Sequence, residues 1–245
     1  MATTIRKNPV RRGAEGSATR RRLSPAERER LIVEGAVRFF SEQGLDGQLR
    51  DLAKELGITH TLLYHYFPTK QALIERVYAD LFAGRWESEW ETLLDDRTLD
   101  VETKLTRFYT RYAKRILERD WVRVFVSSGL SDRYITDRYF ALLGEKLFPR
   151  LIRESRRYLG LTNRGRPSPR EMELLLGLHG SIFYMGMRRW VYGLEPHRGK
   201  TDPFDEVFVH DRVRGYLQTL PEVYGQPAPR SRRSAPKSPS PEAKE

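Results

Sequence analysis

The residues best suited to chemistry lie between positions 45 and 70, in LDGQLRDLAKELGITHTLLYHYFPTK. Ile58, Leu63 and Phe67 recur there about every four residues, and between them fall Thr59, His60, Thr61, Tyr64, His65 and Tyr66. On a helix that spacing turns the three apolar side chains inward and leaves the others largely outward. The outward face of a surface helix usually carries charges. Here it carries hydroxyls and imidazoles, with Lys70 just beyond. Thr and His can hydrogen-bond base edges, and a Thr methyl can meet a thymine methyl. Tyr hydroxyls and a Lys ammonium suit phosphate oxygens. The competing reading of Tyr64 and Tyr66 is a pair of packed aromatics, since tyrosines are often largely buried.

Enzyme chemistry finds no comparable set. No Gly-rich phosphate loop follows a strand pattern, and neither zinc-ligand spacing of histidines nor a Gly-x-Ser-x-Gly elbow occurs. The five histidines, His60, His65, His179, His197 and His210, are scattered. His179 sits in an apolar helical pattern and reads as a satisfied core histidine. The chain has no cysteine, which excludes disulfides, thiolate catalysis and Cys-ligated zinc. The expectation is a protein that is not an enzyme and has no cofactor.

Elements able to position the polar face surround it. Leu49, Leu52, Ala53 and Leu56 share one face of a short helix over 49–56, and Gly57 ends it in a turn. Thr59 caps the next helix, which runs to about Phe67. Two short helices joined by a Gly turn form the helix-turn-helix pattern, whose second helix enters the DNA major groove. Upstream, Ser24-Pro25-Ala26-Glu27 combines an N-cap, a proline at the first helical position and a capping-box glutamate. That helix should run to Gln43 and stop at Gly44, with Ile32, Ala36, Phe39 and Phe40 facing the core.

LYHYFPTKQAL resembles the core pattern of the TetR/AcrR family of bacterial regulators, roughly Leu-Tyr-x-x-Phe-x-x-Lys-x-x-Leu, carried here by Leu63, Tyr64, Phe67, Lys70 and Leu73. Phe40, Gly44, Leu52, Ala53 and Gly57 also fit, so the resemblance covers about 24–82. It implies an all-α homodimer with a three-helix DNA-binding head and a helical ligand-binding and dimerisation domain, released from a palindromic double-stranded operator by a small-molecule effector. It places Thr59, His60, Thr61 and His65 in the groove and Tyr64, Tyr66 and Lys70 on phosphates. Two departures stand out. The chain has one residue fewer before the second helix, where Asp46-Gly47-Gln48 replaces a stretch ending in a capping hydroxyl, so that Gln48 takes that position. His60-Thr61-Leu62 stands where the family often has Lys-Gly-Thr.

The net charge of +11 suggests a polyanionic partner, but most of it is at the ends. Residues 1–22 hold seven Lys/Arg against one Glu, and residues 226–245 hold five against two. Residues 23–70 hold six Lys/Arg against seven Asp/Glu. Both ends are poor in large apolar side chains and read as disordered. Four segments follow: a basic arm over 1–22, the head over 23–70, an effector-binding and dimerisation domain over 71–225, and a tail over 226–245. Arg21 and Arg22 abut the first helix and are the arm residues best placed to reach DNA.

From Lys70 onward the pattern is helical. Helices are expected from Lys70, over Val101–Glu118, Trp121–Leu130, Asp137–Leu159, 170–192 and Phe204–Leu220, with a linker at 92–100. Phe108, Tyr112, Trp121, Phe125, Phe140, His179 and Phe183 are candidates for an effector cavity, against the alternative of a solid aromatic core. Each glycine inside a helix costs ~1 kcal/mol relative to Ala. Close approach of another helix offsets that cost, so Gly177 and Gly180, with Phe204 and Phe208 on the next helix, are candidates for a dimer interface. No apolar run approaches the ~20 residues of a membrane helix, and the N-terminus shows no signal-peptide pattern. A cytoplasmic, DNA-associated location is expected. Two rival functions remain at this level: a sequence-independent DNA-coating protein driven by its tails, and a protein-interaction module whose near-neutral head does not dock on DNA.

Overall fold

A computed structural model of the chain describes residues 23–163, 165–194, 202 and 204–225. The described residues form eleven α-helices and one 3-10 turn, with no strand. The expected arm and tail, including Arg21 and Arg22, lie outside them, as does His197. No helix among the described residues is long and apolar enough to cross a membrane.

The head comprises α1 (Pro25–Gln43), α2 (Leu49–Glu55) and α3 (His60–Tyr66). Its first capping box is complete: Glu27 N–H donates to Ser24 Oγ at 3.2 Å, and Ser24 N–H to the Glu27 carboxylate at 2.7 Å. Ile32, Ala36, Phe39, Phe40, Leu49, Leu52, Ala53, Leu63 and Phe67 are all buried, as their periodicity predicts. The α2–α3 turn is a full Schellman motif. Ile58 N–H reaches Ala53 O, Gly57 N–H reaches Lys54 O, and Gly57 takes φ 63°, a left-handed conformation that favours glycine. The loop before α2 depends on a different glycine. A Cβ at Gly47 would lie 2.5 Å from Phe39 Cε1, so the shortened loop folds flush against the head's core only because that side chain is absent.

α4 (Lys70–Leu81), capped by Thr69, leads from the head into the body. The body contains α5 (Ser88–Asp95), α6 (Val101–Ile116), α7 (Arg119–Leu130), α8 (Tyr134–Lys146), α9 (Phe148–Tyr158), α10 (Pro169–Trp190) and α11 (Glu206–Val223). α6 packs on α11, α10 on α11, and α7 on both α8 and α1. Two boundaries differ from expectation. Residues 92–95 are not linker but the last turn of α5, because Trp90 and Leu94, four apart, are both buried. The expected single helix over 137–159 is two helices, broken at Leu147, since Pro149 has no N–H to continue a helix and is accommodated in the first turn of α9.

Buried charge in the body is paired. Lys104 Nζ, fully buried, donates to Glu154 at 2.7 Å and to Leu94 O at 3.1 Å. Ser168-Pro169-Arg170-Glu171 repeats the capping box of α1 at the start of α10, and Glu171 also accepts from Arg156 at 2.9 Å. Burial alone raises the Glu171 pKa, but the bonds from Arg156, Tyr224 and Ser168 outweigh it and hold the carboxyl at about 2.

Candidate nucleic-acid interface and body cavity

Thr59 caps α3, its hydroxyl accepting from Leu62 N–H at 3.2 Å. With Leu63 fully buried and Phe67 nearly so, α3 turns Thr59, His60, Thr61, Tyr64 and His65 to solvent. Tyr66 differs from the other outward positions: it is half-buried and packs against the core. The His60 and Tyr64 rings meet edge-on at 4.5 Å, so each limits the other's rotation.

Four of the polar residues singled out from sequence come together. Gln48, His60, Tyr64 and Lys70 line one shallow concavity of about 400 Å³ between α2, α3 and the start of α4. Arg50 lines it too. Sequence reasoning passed over Arg50, although its place between Leu49 and Leu52 on α2 already turned it away from the core. Two cations, an amide, a phenol and an imidazole in one exposed hollow form a set of donors suited to phosphate oxygens. Thr61 and His65, one turn apart, remain on the open face of α3 beside it.

The body holds a cavity of about 250 Å³ enclosed by α6, α7, α8 and α10. Tyr112, Trp121, Phe125, Phe140, His179 and Phe183 line it, together with Tyr139 and Gly180. Phe108 is not in the wall; it is fully buried behind it, against Trp90 and Tyr112. Phe140 and Gly180 are both exposed, which puts the mouth between α8 and α10. The Tyr112 and Tyr139 hydroxyls bond each other at 2.8 Å. His179 is not the satisfied core histidine that its pattern suggested: it is buried among Tyr109, Tyr112 and Phe148, and its Nδ1 has no hydrogen-bond partner. Burial pushes its pKa down to about 4, so the ring is neutral at pH 7.

α7 touches both regions. Trp121 and Phe125 point into the cavity, while Arg123 and Ser127, two positions on, face the head. Leu45 N–H donates to Ser127 Oγ at 2.9 Å, Arg123 Nε to Ser41 O at 2.6 Å, and Ser41 Oγ to Asp120 at 2.8 Å. Just beyond α7, Ser131 Oγ donates to Asp46 at 2.9 Å. Arg123 is therefore a tie between helices rather than a solvated cation. A second connection runs through α4, whose terminal Phe82 contacts the Trp121 ring at 4.9 Å and the Tyr139 ring at 5.9 Å.

The proposed interface residues divide. Gly177 and Gly180 are exposed, and a Cβ on either would meet nothing within 4 Å. Gly186 on the same helix would place a Cβ 3.1 Å from Val122, so its small size serves packing inside the subunit. Phe208 is half-buried, whereas Phe204 is turned into its own core and offers little surface to a second copy.

Residues 32–77 match the family model described as bacterial regulatory proteins, tetR family. The chain is 33% identical over 86 residues to the HTH-type transcriptional repressor KstR2 of Mycolicibacterium smegmatis, a stretch covering 35% of this chain and 41% of that protein. It is 39% identical over 49 residues to the uncharacterized HTH-type transcriptional regulator YuxN of Bacillus subtilis, covering 20% of this chain and 17% of that one. The chain thus spans less than half the length of the curated relatives it matches. A TetR-like transcriptional regulator from Rhodococcus sp. RHA1 shares the fold at a TM-score of 0.56 and 17% identity, over 84% of this chain and 100% of that one. The TetR-family regulator PfmR of Thermus thermophilus does so at 0.53 and 21%, over 77% and 96%. Residues 32–77 thus match the helix-turn-helix head of the tetR family, and the described residues share the all-helical fold of these solved structures.

Proposed function

We propose that the protein is a DNA-binding transcriptional repressor that acts as a homodimer and leaves its operator when a small molecule fills the body cavity. The observation that carries the DNA-binding reading is the gathering of Gln48, Arg50, His60, Tyr64 and Lys70 around one exposed hollow on the helix-turn-helix. In this reading the hollow takes backbone phosphates and fixes the head on the duplex. Thr59, Thr61 and His65, with His60 at the rim, then reach base edges in the major groove. Tyr66 keeps enough surface for one phosphate contact. The arm residues Arg21 and Arg22 supply further attraction that weakens with salt.

Dimerisation is proposed through α10 and α11. Gly177, Gly180 and Tyr184 follow one another on α10 at helical spacing, all exposed, and Val207 on α11 is exposed as well. Two such heads fit a palindrome with half-sites about one helical turn apart. Release is proposed to run through α7, whose cavity wall and head ties lie on opposite sides of the same three turns. A ligand that displaces Trp121 or Phe125 must move Arg123 and Ser127 with them.

Binding-site selection from random DNA with the full chain, followed by gel shift of the selected sequence, tests the reading. A palindrome is expected, bound at least 10³-fold more tightly than random DNA, the low end for specific regulators. Selection that yields no sequence preference would point instead to a DNA-coating protein, and no shift at all to a protein-interaction module.

A further inference from the structure

A second concavity lies apart from the aromatic cavity and from the head. It is a cleft of about 700 Å³, within the ~300–1,000 Å³ range of small-molecule sites. Its residues come from the turn after α5, from α8, α9 and α10, and from the 163–167 loop, and none from α1 to α4 or α7. Phe148, Pro149, Ile152 and Met172 give it an apolar side. Arg97, Arg153, Arg156 and Arg166 line it too, and among the described lining residues there is no Asp or Glu.

Like charges gathered round one cleft repel one another unless each has a counterion. Two of these arginines have one inside the protein. Arg156, 4% exposed, donates to Glu171 at 2.9 Å. Arg153 pairs with Asp95 and, at 3.3 Å, with Glu154. Arg97 and Arg166 are exposed, and neither guanidinium has a hydrogen bond or ion pair among the described residues. An adjoining hollow shares Arg97, Arg153 and Arg156, and its two carboxylates are the already paired Asp95 and Glu154. The wall is also preformed. Arg156 donates to the carbonyls of Asn163 at 3.1 Å and Gly165 at 2.7 Å, and Asn163 Oδ1 accepts from Gly165 N–H at 2.7 Å. The loop that carries Arg166 is thereby fastened to α9, while the Arg166 guanidinium stays unengaged.

We propose that this cleft binds an organic oxyanion, its apolar body laid along Phe148, Pro149, Ile152 and Met172 and its carboxylate or phosphate held by Arg97 and Arg166. The planar fork of a guanidinium pairs with two oxygens of either head group. An uncharged ligand would leave both cations without a counterion, and a cationic one would be repelled. The cleft shares no lining residue with the aromatic cavity, so the site is a separate one, and the binding does not depend on the regulator reading.

Isothermal titration of the full chain at pH 7.5 with decanoate, decyl phosphate, decyltrimethylammonium and inorganic phosphate separates head group, charge and tail. At least one decyl anion should bind about tenfold or more tightly than decyltrimethylammonium, which has a tail of the same length, and than inorganic phosphate, which has none. The tighter of the two anions names the head group. Added salt should weaken it, because both guanidiniums are exposed. In the double variant Arg97→Ala/Arg166→Ala that anion should lose about tenfold or more in affinity, the value of a hydrogen bond to a charged group. Arg97→Lys/Arg166→Lys keeps the charge without the fork and should retain part of the affinity. Both side chains are exposed and unpaired, so the variants should keep the fold, checked by circular dichroism. The proposal is overturned if decyltrimethylammonium binds as tightly as both anions, if inorganic phosphate matches decyl phosphate, or if neither anion binds. It is equally overturned if the anion's affinity is unchanged in the alanine double variant, which would place the anion elsewhere on this basic chain.

Discussion

The head and the body place their chemistry on opposite sides of the same kind of helix. α3 buries Leu63 and Phe67 and shows polar groups to solvent, whereas α7 buries Trp121 and lines a void with aromatic rings. In the head, the functional candidates are whatever the core does not need. In the body, the functional candidates and the core are the same residues, because a cavity wall is a core with one neighbour missing. An outward site can be altered without unfolding the protein, while each change to the inward one also changes packing.

The strongest test of that contrast is Leu63→Ala. Leu63 is fully buried beneath the polar face of α3, and truncating such a leucine costs about 2–5 kcal/mol. DNA binding should be lost in a gel shift, while the thermal unfolding of the body, followed by the fluorescence of Trp86, Trp90, Trp121 and Trp190, should keep its midpoint. A midpoint that falls together with the loss of DNA binding would mean that the head and body unfold as one unit.

A smaller effect is expected at the reading face. His60→Ala should remove about 1–3 kcal/mol of discrimination between the selected sequence and a variant at the base pair it meets. Random DNA should be bound as before, measured by competition. Equal weakening on both DNAs would move His60 from the bases to the backbone, in keeping with its place at the rim of the hollow. Arg50→Ala and Lys70→Ala should instead weaken all DNA alike and each lower the slope of log K against log salt by about 1. An unchanged slope in either variant would take that cation out of the phosphate contacts.

The same contrast explains what the sequence disclosed. The head was legible because its apolar period, its capping serine and its turn glycine each specify local geometry, and the three agree. Its polar face could then be read as the remainder, whereas Arg50 on α2 looks like any solvated cation until the hollow it lines is formed. The body was less legible for a physical reason. The periodicity of Tyr112, Trp121 and Phe125 says that they face inward but not whether anything fills the space they face. Nor does it say that Phe108 stands behind the wall rather than in it. Two helix limits were missed where tertiary packing or one proline overrode a continuous apolar pattern, at 92–95 and at Leu147. His179 looked satisfied because a lone histidine among apolar residues usually is, and only the arrangement of its neighbours shows a ring nitrogen without a partner.

The smallest change expected in DNA affinity itself tests whether the two regions communicate. Ser127→Ala removes the acceptor for Leu45 N–H, a bond worth about 1 kcal/mol. DNA affinity should change by less than about fivefold. Coupling between two sites is a free energy of its own, typically about 1–3 kcal/mol, and substitutions between them shift it by ~0.5–2 kcal/mol. It is read as the ratio of DNA affinities with and without a saturating compound that fills the body cavity. If α7 transmits, Ser127→Ala should bring that ratio several-fold closer to unity, because the cavity wall can then move without drawing Leu45 along. Phe82→Leu provides the contrast, since Phe82 joins the cavity rings to the end of α4 and takes no part in the hydrogen bonds at Ser127 and Ser41. A ratio that survives Ser127→Ala and collapses in Phe82→Leu would assign the transmission to α4. A ratio reduced in both would mean that the head is held to the cavity at two points that move together.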